Sequence, residues 1–142
     1  MKMKTAKKFL VLILALSAIF ALASCAEDAP EGLWADALYT EDTTLGNGAK
    51  TVFVEVIAED KSVTFTVKTD AELLGDALVS EGLIEGTPGP YGLYIDKVNG
   101  ILASWDADCA YWGLSIGGEY AMSGVDTTPI EAGAHYELTY TK

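Results

Sequence analysis

Arginine is absent from the 142 residues, histidine occurs once and cysteine twice. Nine lysines face 21 aspartates and glutamates, for a formal net charge of −12. Recognition of nucleic acid or anionic lipid rests on clustered positive charge, so an acidic chain of this kind is a poor partner for either. Two cysteines exclude a disulfide framework. Cys25 closes an N-terminal apolar run, so Cys109 is left alone, with no partner for a disulfide or a tetrahedral metal site. The single histidine, His135, alternates with Tyr136 and Leu138 on a strand pattern, which reads as a solvent-facing position rather than a metal ligand. Asp106-Ala-Asp108 lacks the further acidic positions and the central glycine of a calcium loop, and Asx-type turns account for both aspartates. There is no phosphate-binding glycine loop, internal repeat or low-complexity tract.

The chain begins with Lys2, Lys4, Lys7 and Lys8, followed by an apolar run from Phe9 to Leu22. A basic start and an apolar stretch too short to span a bilayer make a secretory signal. The run ends in Leu22-Ala-Ser-Cys25, which resembles the bacterial lipobox; the resemblance implies cleavage before Cys25 and a lipid on its sulfur. Residues 1–24 are then a lipoprotein signal peptide, 25–32 a lipidated tether and 33–142 a single folded domain. The four leader lysines go with the signal, so the exported part carries five lysines against 21 acids, a net charge near −16. Such a surface does not adhere to anionic lipid, so the acyl chains must hold the protein at the membrane, at about 0.8 kcal/mol per buried methylene.

Hydrophobic periodicity predicts an α+β fold, a mostly antiparallel sheet with one covering helix, β-grasp-like. Leu33 to Tyr39 reads as a first strand with a packed tryptophan, and Thr40 to Ala49 as a loop. Lys50 to Ala58 alternates, with Val52, Val54 and Val56 on one face. After the turn Glu59-Asp60-Lys61, the residues Val63, Phe65 and Val67 alternate with Thr64, Thr66 and Lys68, so the two runs form a hairpin with one buried face. Thr69-Asp-Ala-Glu72 has the form of a capping box before a helical stripe of Leu73, Leu74, Ala77 and Leu78 that stops at Gly82. Gly75 weakens that helix by about 1 kcal/mol relative to alanine. Thr87-Pro-Gly-Pro90 reads as a loop. Strands are expected over 91–98, 110–116, 119–123 and 135–141, with turns at Asn99-Gly100, at Asp106-Ala-Asp108 and at Gly117-Gly118.

One catalytic pattern occurs. Gly113-Leu-Ser115-Ile-Gly117 matches G-x-S-x-G, with Asp126 and His135 following in the hydrolase order. That motif needs a strand-to-helix turn with serine at its apex. Here a glycine pair leads straight into another strand, and no helix follows, so the match is a coincidence of letters and the chain is read as a non-enzyme.

The aromatic residues carry the remaining signal. In Tyr111-Trp-Gly-Leu114, alternation sends Trp112 and Leu114 inward and Tyr111 to the other face. Trp105 lies in a polar stretch between turn signals, where an exposed ring is free to meet a ligand. Tyr91, Tyr94 and Tyr111 are intermediate, apolar bodies with a polar tip. The candidate ligand-binding residues are therefore Trp105, Tyr111, Tyr94 and Tyr91.

Tyr91-Gly-Leu-Tyr-Ile95, Val98-Asn-Gly100, Ala110-Tyr-Trp-Gly-Leu-Ser-Ile-Gly-Gly-Glu-Tyr-Ala121 and Gly124-Val-Asp126 together resemble one family. It is the small bacterial domain similar to the C-terminal domain of transcobalamin and intrinsic factor, the cobalamin carriers. The likeness runs from about Lys50 to Lys142. The family's hairpin usually holds Asn-Gly where this chain has Gly117-Gly118, a change that keeps the turn chemistry because both pairs tolerate positive φ. In the carriers, the similar domain presses one face of the corrin ring while a helical domain holds the other. The resemblance implies a cell-surface protein that binds cobalamin or a related corrinoid and delivers it to an importer, alone or with a second binding chain. The alternative from the residues themselves is an interaction module that docks a protein or glycan through an aromatic patch.

Overall fold

The structure, a computed structural model, describes residues 29–142. The signal peptide and Cys25 lie outside the described residues. A 3-10 turn over Gly32–Asp36 is followed by β1 (Thr43–Gly46), β2 (Lys50–Ala58), β3 (Lys61–Thr69), α1 (Leu74–Ser80), β4 (Ile84–Gly89), β5 (Gly92–Val98) and β6 (Ile101–Leu102). Then come α2 (Trp105–Asp108), β7 (Tyr111–Ile116), β8 (Glu119–Tyr120), a second 3-10 turn (Val125–Thr127) and β9 (His135–Thr141). Among the described residues, nine strands form a six-stranded sheet in the order β1-β3-β2-β9-β7-β8 and a three-stranded sheet in the order β4-β5-β6.

The class is α+β, as expected, but the larger sheet is mixed: β1 runs parallel to β3 and β2 parallel to β9. Five of the seven strand pairings among the described residues are antiparallel, so that part of the expectation holds. The correction is that two sheets and two short helices replace one sheet under a single helix, and this strand order does not establish a β-grasp. The missed parallel pairs join distant segments, which local periodicity cannot register. β1 falls in the stretch read as loop because its glycines mask it. A Cβ at Gly46 would lie 2.1 Å from the Lys68 carbonyl oxygen, and one at Gly48 would lie 2.1 Å from the Thr69 backbone. Only glycine lets the chain cross the end of β3 so closely. The first expected strand is instead the 3-10 turn, yet its tryptophan does pack. Trp34 is buried and donates from Nε1 to the Ala58 carbonyl at 3.0 Å, with Lys61 Nζ 4.9 Å above its ring.

The β2–β3 hairpin forms as its alternation demands, with Val54 opposite Phe65 and Val56 opposite Val63. These side chains join Tyr136, Leu138, Trp112 and Leu114 from the same sheet, and Ile84, Val98 and Ile101 from the other, in one core. α1 contributes Leu74, Ala77 and Leu78 to it and ends before Gly82, whose φ is 69. Its capping differs from expectation. Thr69 still belongs to β3, and its Oγ1 accepts from Ala71 N at 3.0 Å, a local turn. The first helical amide, Leu74 N, instead donates to the Thr128 carbonyl at 2.8 Å. Glu72 pairs with Lys50 Nζ at 3.0 Å rather than closing a capping box. Thr87-Pro-Gly89 is strand rather than loop, which proline allows because β4 is an edge strand paired only with β5.

Candidate functional site

A cleft of about 650 Å³ opens where β5 of the small sheet meets the β7–β8 end of the large one. Trp105, Tyr111, Tyr94 and Tyr91, the four residues singled out from sequence, all line it. Local chemistry sets each position. Tyr91 is at the tip of the β4–β5 hairpin and is 98% exposed. Trp105 opens α2, a single turn whose Ser104 Oγ accepts from Ala107 N at 3.3 Å, and the residue is 60% exposed. The segment expected to be an Asx turn is therefore a capped helical turn, closed by Cys109 in the left-handed region with φ 52.

Register puts Tyr111 and Trp112 on opposite faces of β7, and both nevertheless line the cleft. The cleft wraps an unpaired edge, because β8 pairs only with Ser115 and Ile116 and leaves Tyr111 to Gly113 without a strand partner on that side. Gly113 matters here. A Cβ at this position would lie 3.3 Å from Tyr120 Cε2 and 3.6 Å from Tyr111 Cε2, so the absence of a side chain lets both rings close over the strand. Trp112 is held by a bond from Nε1 to the Ile101 carbonyl at 3.2 Å and by edge-on packing against Tyr140. It is core, as expected, and also part of the cleft floor with Leu114.

Sequence reasoning missed Leu93, Ile95, Tyr120 and Met122 as cleft residues. Tyr120 had a signal, since the Gly117-Gly118 turn sets it opposite Ser115. Met122, 99% exposed, lies past the end of β8 where no period applies. The hairpin wall is fastened from behind by Asp126, whose Oδ2 accepts from Leu93 N at 3.1 Å and whose carboxylate packs on Gly92.

The other candidates stay apart from the cleft. Ser115 stands in mid-strand between Tyr120 and Glu137, and the chain enters β8 after Gly117, so no nucleophile elbow exists there. His135 is more engaged than a solvent-facing residue: its Nε2 lies 3.1 Å from Glu55 Oε2 and 4.0 Å from Glu137 Oε1. Among the described residues, no group of three or more histidine, cysteine, aspartate or glutamate side chains is placed to hold a metal ion. Cys109 is free and exposed.

Fold and site together define a small two-sheet α+β domain with an open aromatic cleft and no assembled catalytic group among the described residues. No family model matches the chain, and no curated protein matches it. Solved structures do. A protein from Ruminococcus gnavus ATCC 29149, named as a candidate metal binding protein, is 37% identical with a TM-score of 0.63. The match covers 66% of this chain and 98% of that one. This chain belongs to the same family. Haptocorrin in complex with Cbi shares the fold at 20% identity and a TM-score of 0.54, over 66% of this chain and 25% of haptocorrin. The likeness thus spans about a quarter of haptocorrin's length. Both relatives are named for binding rather than for catalysis.

Proposed function

We propose that this protein is a cell-surface lipoprotein that binds a cobalamin-like corrinoid in the aromatic cleft, for capture or for delivery to an importer. One observation carries the reading: Trp105, Tyr111, Tyr94 and Tyr91 converge on a single cleft in a fold shared with haptocorrin. A flat macrocycle with an apolar body and amide arms suits ring faces beside an open strand edge, and 650 Å³ falls within the usual range for small-molecule sites. The lipid on Cys25 would keep the acidic domain at the extracytoplasmic face of the membrane. Replacing Cys25 with alanine removes incorporation of labelled fatty acid; labelling that persists in this variant contradicts the anchor.

The test of binding is a titration of the full-length protein with cobalamin and with cobinamide, followed by absorbance and calorimetry. Trp105→Ala and Tyr111→Ala lower the affinity while leaving the thermal melt nearly unchanged, because they remove ligand contact without opening the core. Absence of binding to both corrinoids up to millimolar concentration, with any co-encoded partner present, sinks the reading. The second reading, a module that docks a protein or glycan, draws support from the rim, where Tyr91 and Met122 are almost fully exposed and Tyr120 largely so.

A further inference from the structure

Tyr94 and Trp105 form a ridge. Behind it lies a second cavity of about 450 Å³, which these two rings also line and whose chemistry differs from that of the main cleft. Asp96 and Asp106 face it from β5 and α2, together with the exposed Leu102. Among the described residues neither carboxylate has an ion-pair partner. Asp96 Oδ2 accepts only a neutral hydroxyl, from Thr87 Oγ1 at 2.8 Å. The adjacent Lys97 is engaged elsewhere, 3.7 Å from Glu85 Oε2, and no lysine lines the cavity. Two uncompensated negative charges beside two partly exposed aromatic side chains attract a cation that can also make apolar contact. The ring quadrupole and the carboxylates then act in the same direction. Leu102 gives alkyl groups a surface that a hydrated metal ion does not use, and the chain's net charge of −12 raises the local concentration of any cation.

We propose that this side cavity binds the ammonium group of a compact organic cation, with Trp105 and Tyr94 presenting ring faces and Asp96 and Asp106 the counter-charge. The site lies on the other side of that ridge from the main cleft, and the inference does not depend on what occupies that cleft, although Tyr94 and Trp105 border both. The experiment titrates the full-length protein with choline chloride and follows the indole signals of its three tryptophans by NMR. Sodium chloride at matched ionic strength, calcium chloride and the neutral isostere 3,3-dimethylbutan-1-ol serve as controls. The expected result is a saturable shift of the Trp105 indole with choline alone, while Trp34 and Trp112 stay still. Asp106→Asn and Asp96→Asn each weaken it about three- to fivefold, with thermal melts unchanged. The proposal is overturned by an equal response to the neutral alcohol, by a calcium-induced shift that choline does not compete, or by a folded Asp96→Asn, Asp106→Asn double variant with undiminished choline affinity. It is equally overturned by the lack of any choline-specific shift up to about 100 mM, the weakest binding such a site would show.

Discussion

Asn99 holds a backbone position that glycine would fill equally well, with φ 51 in the two-residue turn between β5 and β6. Its side chain does something glycine cannot. Nδ2 donates to the Tyr39 carbonyl at 2.8 Å and Oδ1 accepts from Tyr39 N at 2.9 Å, so a fully buried amide ties the N-terminal segment to the small sheet. Asn99→Gly keeps the turn yet loses both bonds, and chemical denaturation should register a loss of about 2 kcal/mol. A neutral outcome would mean that only the turn matters. The tryptophans divide in the same way. Trp112 is 7% exposed and bonded to Ile101, so Trp112→Ala costs about 3–5 kcal/mol, whereas Trp105→Ala barely moves the denaturation midpoint. That division was legible, because alternation with Leu114 marks Trp112 and polar neighbours mark Trp105. Thr69 was not legible. Its letters fit a capping box, but β3 extends through it, and the cap passes to a carbonyl 59 residues later, Thr128.

At the scale of elements, α1 shows propensity and packing in opposition. Gly75 looks like a defect in a seven-residue helix, and on propensity alone alanine would add about 1 kcal/mol. In the fold, a Cβ there would sit 3.1 Å from the backbone of Asp126, in the 3-10 turn packed on the helix. Relief would shift that turn and pull the Asp126 carboxylate from Leu93 N. Gly75→Ala is therefore expected to lower the melting temperature and to speed hydrogen exchange at the β4–β5 hairpin. A more stable variant would show that the turn yields easily. Strands with strong alternation, β2, β3 and β9, were readable because one face of each is buried against the common core. β1 and β4 were not, since glycines and prolines at sheet edges carry the same letters as loops. The cleft was half-readable for the same reason: its aromatic residues announce themselves, whereas Leu93 and Ile95 look like any core strand, and only the approach of β5 to β7 turns them into a wall.

For the molecule as a whole, what matters is that the cleft has one side. The described chain supplies a floor of Trp112 and Leu114 and walls from β5 and α2, and nothing in it covers the cleft from above. Tyr91 at 98% and Met122 at 99% exposure mark the rim, so a flat ligand lying across Trp105 and Tyr111 keeps its outer face in water. Small-molecule sites that bind tightly bury most of the ligand surface, and burial of about half forgoes much of the apolar contribution while the cost of immobilising the ligand remains. If the cleft takes a corrinoid as proposed, the affinity of this chain alone should therefore lie at a Kd of about 10⁻⁵ to 10⁻³ M. Trp105→Ala, at the centre of the contact, should weaken it about tenfold, while Tyr91→Ala should change it by less than about twofold. The rim residue would become important only if a second chain closed the cleft, when a buried Tyr91 would contribute as interface aromatics do. Calorimetry on the full-length protein checks both parts. Nanomolar binding by this chain alone, or a Tyr91→Ala effect as large as that of Trp105→Ala, would show that the cleft closes over its ligand without help, and the one-sided account would fail.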